Sequence, residues 1–267
     1  MTKQEILKTH FGYDTFREGQ EAVIDALLAE KDVLAVMPTG AGKSICYQVP
    51  ALMMKGITLV ISPLISLMKD QVRSLNQAGI SAAYLNSSLT QGQYFTALRY
   101  AKAGRYPIIY VAPERLTTDA FLDFAQSADI SMIAVDEAHC VSQWGQDFRQ
   151  SYLGIAEFLN KLQKRPIVSA FTATATEQVC KDICRLLQLQ DPFQITKYNQ
   201  THHSSDVKAL YEEHEAKILA GRAPLNTDGM DEAQAKDAQN ADYNERRAIM
   251  DAQPIHVSIA GRMMFKR

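Results

Sequence analysis

Val33-Leu-Ala-Val-Met-Pro-Thr-Gly-Ala-Gly-Lys-Ser44 decides how the rest of the chain is read. A short apolar run ends at Pro38 and opens into a loop of small residues, Thr39, Gly40, Ala41 and Gly42, which leads through Lys43 and Ser44 into a helix-compatible stretch. Strand, loop and helix follow in that order. Small residues let successive backbone N–H groups converge on a phosphate chain at a helix N-terminus, where the helix dipole favours negative charge. Lys43 is then placed to reach the outer phosphates, and the Ser44 hydroxyl to ligate Mg²⁺. The general form of such a loop asks for Gly where this chain has Met37.

Around this stretch, short apolar runs alternate with helical patterns. Strands are expected at Val33–Met37, Ile57–Ile61, Ile80–Leu85, Ile108–Val111, Met132–Val135 and Ile167–Phe171. Between them lie helices at about 43–54, 64–77, 90–103, 116–124, 152–163 and 177–187, with two more at 3–10 and 17–29 ahead of the first strand. Strands apolar on both faces and separated by helices define an α/β fold, a parallel sheet covered by helices on both sides. Sites in such folds lie at the carboxyl ends of the strands. Asp136 and Glu137 stand at one of those ends. An Asp there is suited to hold Mg²⁺, and the carboxylate beside it to orient and deprotonate water.

The composition sets bounds. Of 267 residues, 46% are apolar, enough for a large core. Lys and Arg number 28 against 30 acidic residues, so any nucleic-acid contact must be local. Cys46, Cys140, Cys180 and Cys184 have no Cys-x-x-Cys spacing and read as reduced thiols. There is no apolar signal core and no run long enough to span a membrane, so the expected location is the cytoplasm.

Several stretches together resemble the first motor domain of RecQ-family DNA helicases, in superfamily 2. They are Phe11-Gly-Tyr-Asp-Thr-Phe-Arg-Glu-Gly-Gln20, Met37 to Ser44, Ser62-Pro-Leu-Ile-Ser-Leu-Met-Lys-Asp-Gln71, Pro113-Glu-Arg-Leu116, Asp136-Glu-Ala-His139, Gln143-Trp-Gly-Gln-Asp-Phe-Arg149 and Thr172-Ala-Thr174. The resemblance covers about residues 1–195 and accounts for Met37, since Met-Pro-Thr-Gly precedes the loop in that family. It implies a RecA-like P-loop NTPase domain that uses ATP and Mg²⁺ and acts on single-stranded or partly duplex DNA with 3′→5′ polarity. Arg17 and Gln20 match the motif that reads adenine. Lys43, Ser44, Asp136 and Glu137 match the phosphate, metal and base positions. His139 and Thr172–Thr174 match elements that relay nucleotide state to the nucleic-acid face. Trp144, Phe148 and Arg149 match an aromatic-rich loop that couples single-stranded DNA to hydrolysis, and Ser62, Pro63 and Ser66 lie at a strand end expected to face DNA. Without the family, Trp144 reads equally as a core residue. Gln146 replaces a usual His, and Gln150-Ser151 a usual Pro-Glu.

Past about Ile195 the texture changes, and residues 196–267 are expected to form a separate, polar, mostly helical and partly disordered tail. A helix is expected over Asp206–Leu219 and a strand over Ile255–Ala260, flanking a run at 226–242 with almost nothing to bury. Acidic residues after position 200 number 11 and basic ones 9, so the tail carries the net charge of −2. Thr201–Val207 and Val257–Met264 resemble the N-terminal region of a bacterial lysyl-tRNA synthetase, with an unrelated polar tail as the alternative. No second motor domain is read in the sequence. The expectation is therefore an ATP-dependent RecQ-type helicase motor domain that alone is weakly active or unable to unwind, the alternative being a nucleotide- and DNA-binding fragment or fusion product without unwinding activity; a second motor domain in trans is a candidate partner.

Overall fold

The computed structural model describes residues 1–145, 147–196, 213, 215, 217, 218, 225 and 232–251. Two compact units divide the chain, Met1–Tyr198 and Asn199–Arg267.

The first unit is built on a seven-stranded sheet of β1 (Val33–Val36), β2 (Ile57–Ile61), β3 (Ala82–Leu85), β4 (Ile108–Val111), β5 (Ile130–Val135), β6 (Ile167–Thr172) and β7 (Phe193–Ile195). Every pairing is parallel, in the order β3-β4-β2-β5-β6-β1-β7. All of β2 and β4 is buried, which is why these strands carry Ile, Leu, Val and Tyr without polar alternation.

Alternate strand residues feed two cores. Leu34, Leu59, Ile109, Ile133 and Val168 point to one side, and Val33, Val60, Ile108, Met132 and Phe171 to the other. The helices α5 (Gln91–Lys102), α6 (Asp119–Ser127), α7 (Gly154–Lys161) and α8 (Glu177–Leu186) cover the first side; α2 (Gln20–Leu28), α3 (Lys43–Met53) and α4 (Ile65–Gln77) cover the second. In α4 the buried residues are Met68, Val72 and Leu75, the 4-then-3 spacing of one helical stripe. A fully buried side chain of this kind contributes roughly 1.5–3 kcal/mol. A capping box starts α5, with the Gln93 amide N–H bonded to Thr90 Oγ1 and the Thr90 N–H to Gln93 Oε1. At the opposite end of the sheet from the site, the buried Asp32 carboxylate accepts the N–H groups of Val168 and Gln190 and pairs with Arg165, tying β6 and the approach to β7 onto β1.

Three local outcomes differ from the pattern read in the sequence. The N-terminal helix is α1 (Lys3–Ile6) running into a π-helical turn, Leu7–Phe11, closed by left-handed Gly12. The expected helix at 152–163 is a 3₁₀ turn, Gln150–Leu153, followed by α7. β7 is an additional edge strand.

In the second unit, α9 (Glu232–Asp251) is helical through much of the polar run that gives nothing to bury. Arg246 pairs with Glu215 at 2.7 Å, and Lys217 with Glu213 at 2.8 Å. Positions 213, 215, 217 and 218 are helical, within the expected 206–219 helix. The segments that resemble lysyl-tRNA synthetase, the expected strand at 255–260 and Gln146 lie outside the described residues.

Candidate nucleotide site and the loop beside it

The loop after β1 is drawn over the sheet by one bond beyond the strand, from the Met37 N–H to the Thr172 carbonyl at 2.9 Å. Met37 is 1% exposed and packs in the core, which explains an apolar residue where the general loop has Gly. Gly40 and Gly42 both take positive φ, 86° and 78°. Gly42 has a second constraint, because a Cβ there would lie 2.4 Å from Gln20 Nε2. Lys43 Nζ donates to the Met37 carbonyl at 3.2 Å, so its ammonium folds back over the loop.

Gln20 is buried beneath this loop. Its Nε2 donates to the carbonyls of Ala41 and Gly42 at 3.0 and 3.1 Å, and its Oε1 accepts the Arg17 N–H at 2.8 Å. The Arg17 guanidinium donates to the Gly40 carbonyl and lies 6.0 Å from the Tyr13 ring centroid. Both residues therefore brace the loop. A cavity of about 630 Å³ opens beside them, its wall including Tyr13, Arg17, Lys43, Ser44, Asp136 and Glu137. His10 also lines it, with Nδ1 2.9 Å from the Ala78 carbonyl, joining the π-turn to the end of α4. His10 and Tyr13 were not singled out in the sequence. Only their place around Phe11-Gly12 pointed to them, and a π-turn leaves no periodic signal.

Asp136 extends β5 by its N–H bond to the Ile61 carbonyl at 2.8 Å. Burial, with Glu137 adding to it and Lys43 opposing, pushes its carboxyl up to about 6. Glu137 is left-handed at φ 48°, a conformation unusual for a residue with a side chain and concentrated at functional sites. That kink turns the chain into the 3₁₀ segment Ala138–Val141. His139 Nδ1 lies 2.8 Å from Thr172 Oγ1 and 3.3 Å from Glu137 Oε2. Since the Thr172 hydroxyl gives its hydrogen to the Thr174 carbonyl at 3.1 Å, the hydrogen-bond pattern assigns the His139 proton to Nδ1. These bonds bring the Asp136–His139 and Thr172–Thr174 segments together.

Beyond the buried Cys140, Val141 and Ser142 the chain emerges as an exposed loop from Gln143. Trp144 is 77% exposed and Phe148 37%, so the indole is not a core residue. Arg149 lies in the same loop, its Nε and Nη2 donating to Asp147 at 3.1 and 2.8 Å and its Nη1 to the Pro63 carbonyl at 3.4 Å. The strand end at Ser62–Ser66 thus meets the loop through Pro63. Ser66 is exposed, but Ser62 is 1% exposed and its hydroxyl has no partner. The expectation that Ser62 faces nucleic acid is corrected in that respect: its side chain lies under the strand end, and Pro63, Leu64 and Ser66 form the surface.

Among the described residues no group of His, Cys, Asp and Glu is arranged to hold a metal by itself, and no helix is long and apolar enough to cross a membrane. All four cysteines are free thiols.

A parallel sheet with a small-residue loop after β1 and paired acids after β5 defines a RecA-like P-loop domain of helicase type. The chain belongs to the DEAD/DEAH box helicase family, whose model matches residues 17–183. It is 50% identical over 188 residues to the ATP-dependent DNA helicase RecQ of Bacillus subtilis, covering 70% of this chain and 32% of that protein. It is 48% identical over 191 residues to the RecQ helicase of Pasteurella multocida, covering 72% and 30%. The chain thus spans about a third of the length of these relatives. Among solved structures, a hypothetical ATP-dependent RNA helicase from Sulfolobus tokodaii shares the fold with a TM-score of 0.58 at 19% identity, over 92% of this chain and 79% of that one.

Proposed function

We propose that this chain supplies the ATP-binding motor domain, residues 1–195, of a RecQ-type DNA helicase, with residues 196–267 as a separate tail. The observation that carries this reading is the convergence of Lys43, Ser44, Asp136 and Glu137 on one cavity at the strand ends. The donor set fits Mg·ATP: an ammonium, a hydroxyl and a carboxylate are hard ligands suited to phosphate oxygens and Mg²⁺. Ser44 and Asp136 would hold the ion, which when bound neutralises charge on the phosphates. Thr39 to Gly42 present backbone amides to the phosphate chain. Lys43 gives up its bond to the Met37 carbonyl to meet the outer phosphates. Glu137 takes the proton of the attacking water. His139, tied to Glu137 and Thr172, reports the state of that carboxylate to the Thr172–Thr174 segment.

Single-stranded or partly duplex DNA is the proposed substrate, crossing Pro63, Ser66, Trp144, Phe148 and Arg149 with the 3′→5′ polarity implied by the resemblance. An exposed indole and phenyl give stacking surfaces worth ~1–3 kcal/mol per base, and Arg149 gives a phosphate contact. Arg17 and Gln20, which match the adenine-reading motif by resemblance, would act here by bracing the phosphate loop, a role felt by every nucleotide. A second motor domain, in the same polypeptide or in trans, is the partner this reading requires for unwinding. The test is Glu137→Gln: the amide keeps size and hydrogen bonding but loses the base, so Mg·ATP binding should persist while DNA-stimulated turnover disappears. Unchanged turnover would exclude Glu137 as the base.

A further inference from the structure

Asp182 is a buried carboxylate that the chemistry above does not use. It sits on α8 at 7% exposure, beside Val179 and Ile183 on the core-facing stripe. It accepts the Ser142 hydroxyl at 2.7 Å, Arg185 Nη2 at 3.2 Å and Gln178 Nε2 at 3.5 Å. Ser142 is itself fully buried, and its oxygen accepts the Trp144 N–H at 3.2 Å. A hydroxyl has one hydrogen, and here it goes to Asp182, leaving a lone pair for the amide. The Trp144 indole is exposed, so the turn that carries it is set through its backbone rather than by packing of the ring.

That turn also abuts the nucleotide side. The Gly145 N–H bonds to the Ser142 carbonyl at 2.9 Å, and the Ser142 N–H bonds to the His139 carbonyl at 3.2 Å. Meanwhile α8 is capped by Thr176, two residues past the Thr174 carbonyl that takes the Thr172 hydroxyl. One helix therefore supports both the Trp144 turn and the segment bonded to His139.

We infer that Ser142 and Asp182 are positioning residues: they hold the Trp144 turn against His139 and thereby set how strongly single-stranded DNA stimulates nucleotide turnover. This rests on the ATP- and DNA-binding reading of the preceding section. A carboxylate that served only to stabilise the fold would alter melting temperature and leave the ratio of stimulated to basal turnover untouched.

The experiment compares the full chain with Ser142→Ala, Asp182→Ala and Asp182→Asn, using oligothymidylate as the probe. Mg·ATP affinity by calorimetry and basal turnover should stay within about twofold of the parent, which also reports that the variants are folded. Stimulation by oligothymidylate should fall by about tenfold in Ser142→Ala and Asp182→Ala, within the usual range of coupling between sites. Asp182→Asn, whose amide oxygen still accepts the Ser142 hydroxyl, should retain more. The Trp144 fluorescence response to oligothymidylate should shrink in the same order. Variants stimulated like a responsive parent, with its Trp144 signal, overturn the positioning role alone. A parent with no ATP affinity and no Trp144 response overturns the functional reading and this inference with it.

Discussion

The backbone of Gly145 lies so close to the His139 carbonyl that a Cβ at position 145 would sit 2.2 Å from that oxygen. No side-chain rearrangement relieves such a contact, because the obstacle is backbone. Gly145→Ala must therefore displace the Trp144 turn from His139. ATP affinity should be retained, since the loop at Thr39–Ser44 is untouched, while the Trp144 fluorescence change on adding single-stranded DNA at low salt should be lost. A parent-like response would show that the turn moves independently of His139.

Asp136 makes stability depend on pH in the unusual direction. Its carboxyl is raised from 3.8 to about 6, mainly by burial, so between those values the folded protein binds more protons than the unfolded chain. Stability then falls as pH rises through that window, and the cost, roughly 2–3 kcal/mol, is in place above about pH 6. Asp136→Asn removes the charge and keeps an oxygen to accept the Glu137 N–H. Without nucleotide or magnesium, the variant's advantage in melting temperature should grow from pH 4 to 6 and then level off. An advantage constant with pH would mean that Asp136 does not titrate there.

Gln20 is bonded to two carbonyls of the phosphate loop, so its loss should be felt by every nucleotide. Gln20→Ala leaves the buried Ala41 carbonyl without its donor, at ~1–3 kcal/mol, while the Gly42 carbonyl keeps the Ile45 N–H at 3.1 Å. Affinity for GTP should drop along with that for ATP. A variant that changes only the ratio of the two would assign Gln20 to the base alone.

Ser62 carries a buried hydroxyl without a partner, which gains nothing from being polar. Ser62→Ala should be neutral to stabilising by up to ~1 kcal/mol in denaturant titration and should leave single-stranded DNA affinity unchanged. Weakened DNA binding would return Ser62 to the contact surface.

The sheet was legible because strands buried on both faces read as continuous apolar runs, as in Ile57–Ile61 and Ile108–Val111. β7 was not, since it is three residues long, with Phe193 and Ile195 half-exposed and Gln194 exposed, and pairs only with β1. α9 agrees with a tail expected to be mostly helical, but its bounds were not legible: its Ala, Gln, Lys and Glu favour helix by propensity, while apolar periodicity responds only to what is buried. In the site, residue identity placed Lys43, Ser44, Asp136 and Glu137 at the strand ends. It did not give the direction of the Gln20 amide, which faces the loop, or the depth of Ser62, which depends on where β2 ends. The Ser142–Asp182 bond joins positions 40 residues apart and has no sequence pattern at all.

Calorimetric titration of Mg·ATP into the full chain and into Lys43→Ala is the most direct test of the site. Removing the ammonium deletes charge-assisted contacts to the phosphates and leaves the loop backbone in place, so affinity should fall by ~1.5–3 kcal/mol, or roughly 10- to 150-fold. Equal affinity in the two proteins would contradict the assignment of Val33–Ser44 as a nucleotide-binding loop, and with it the reading of this chain as an ATP-driven motor domain.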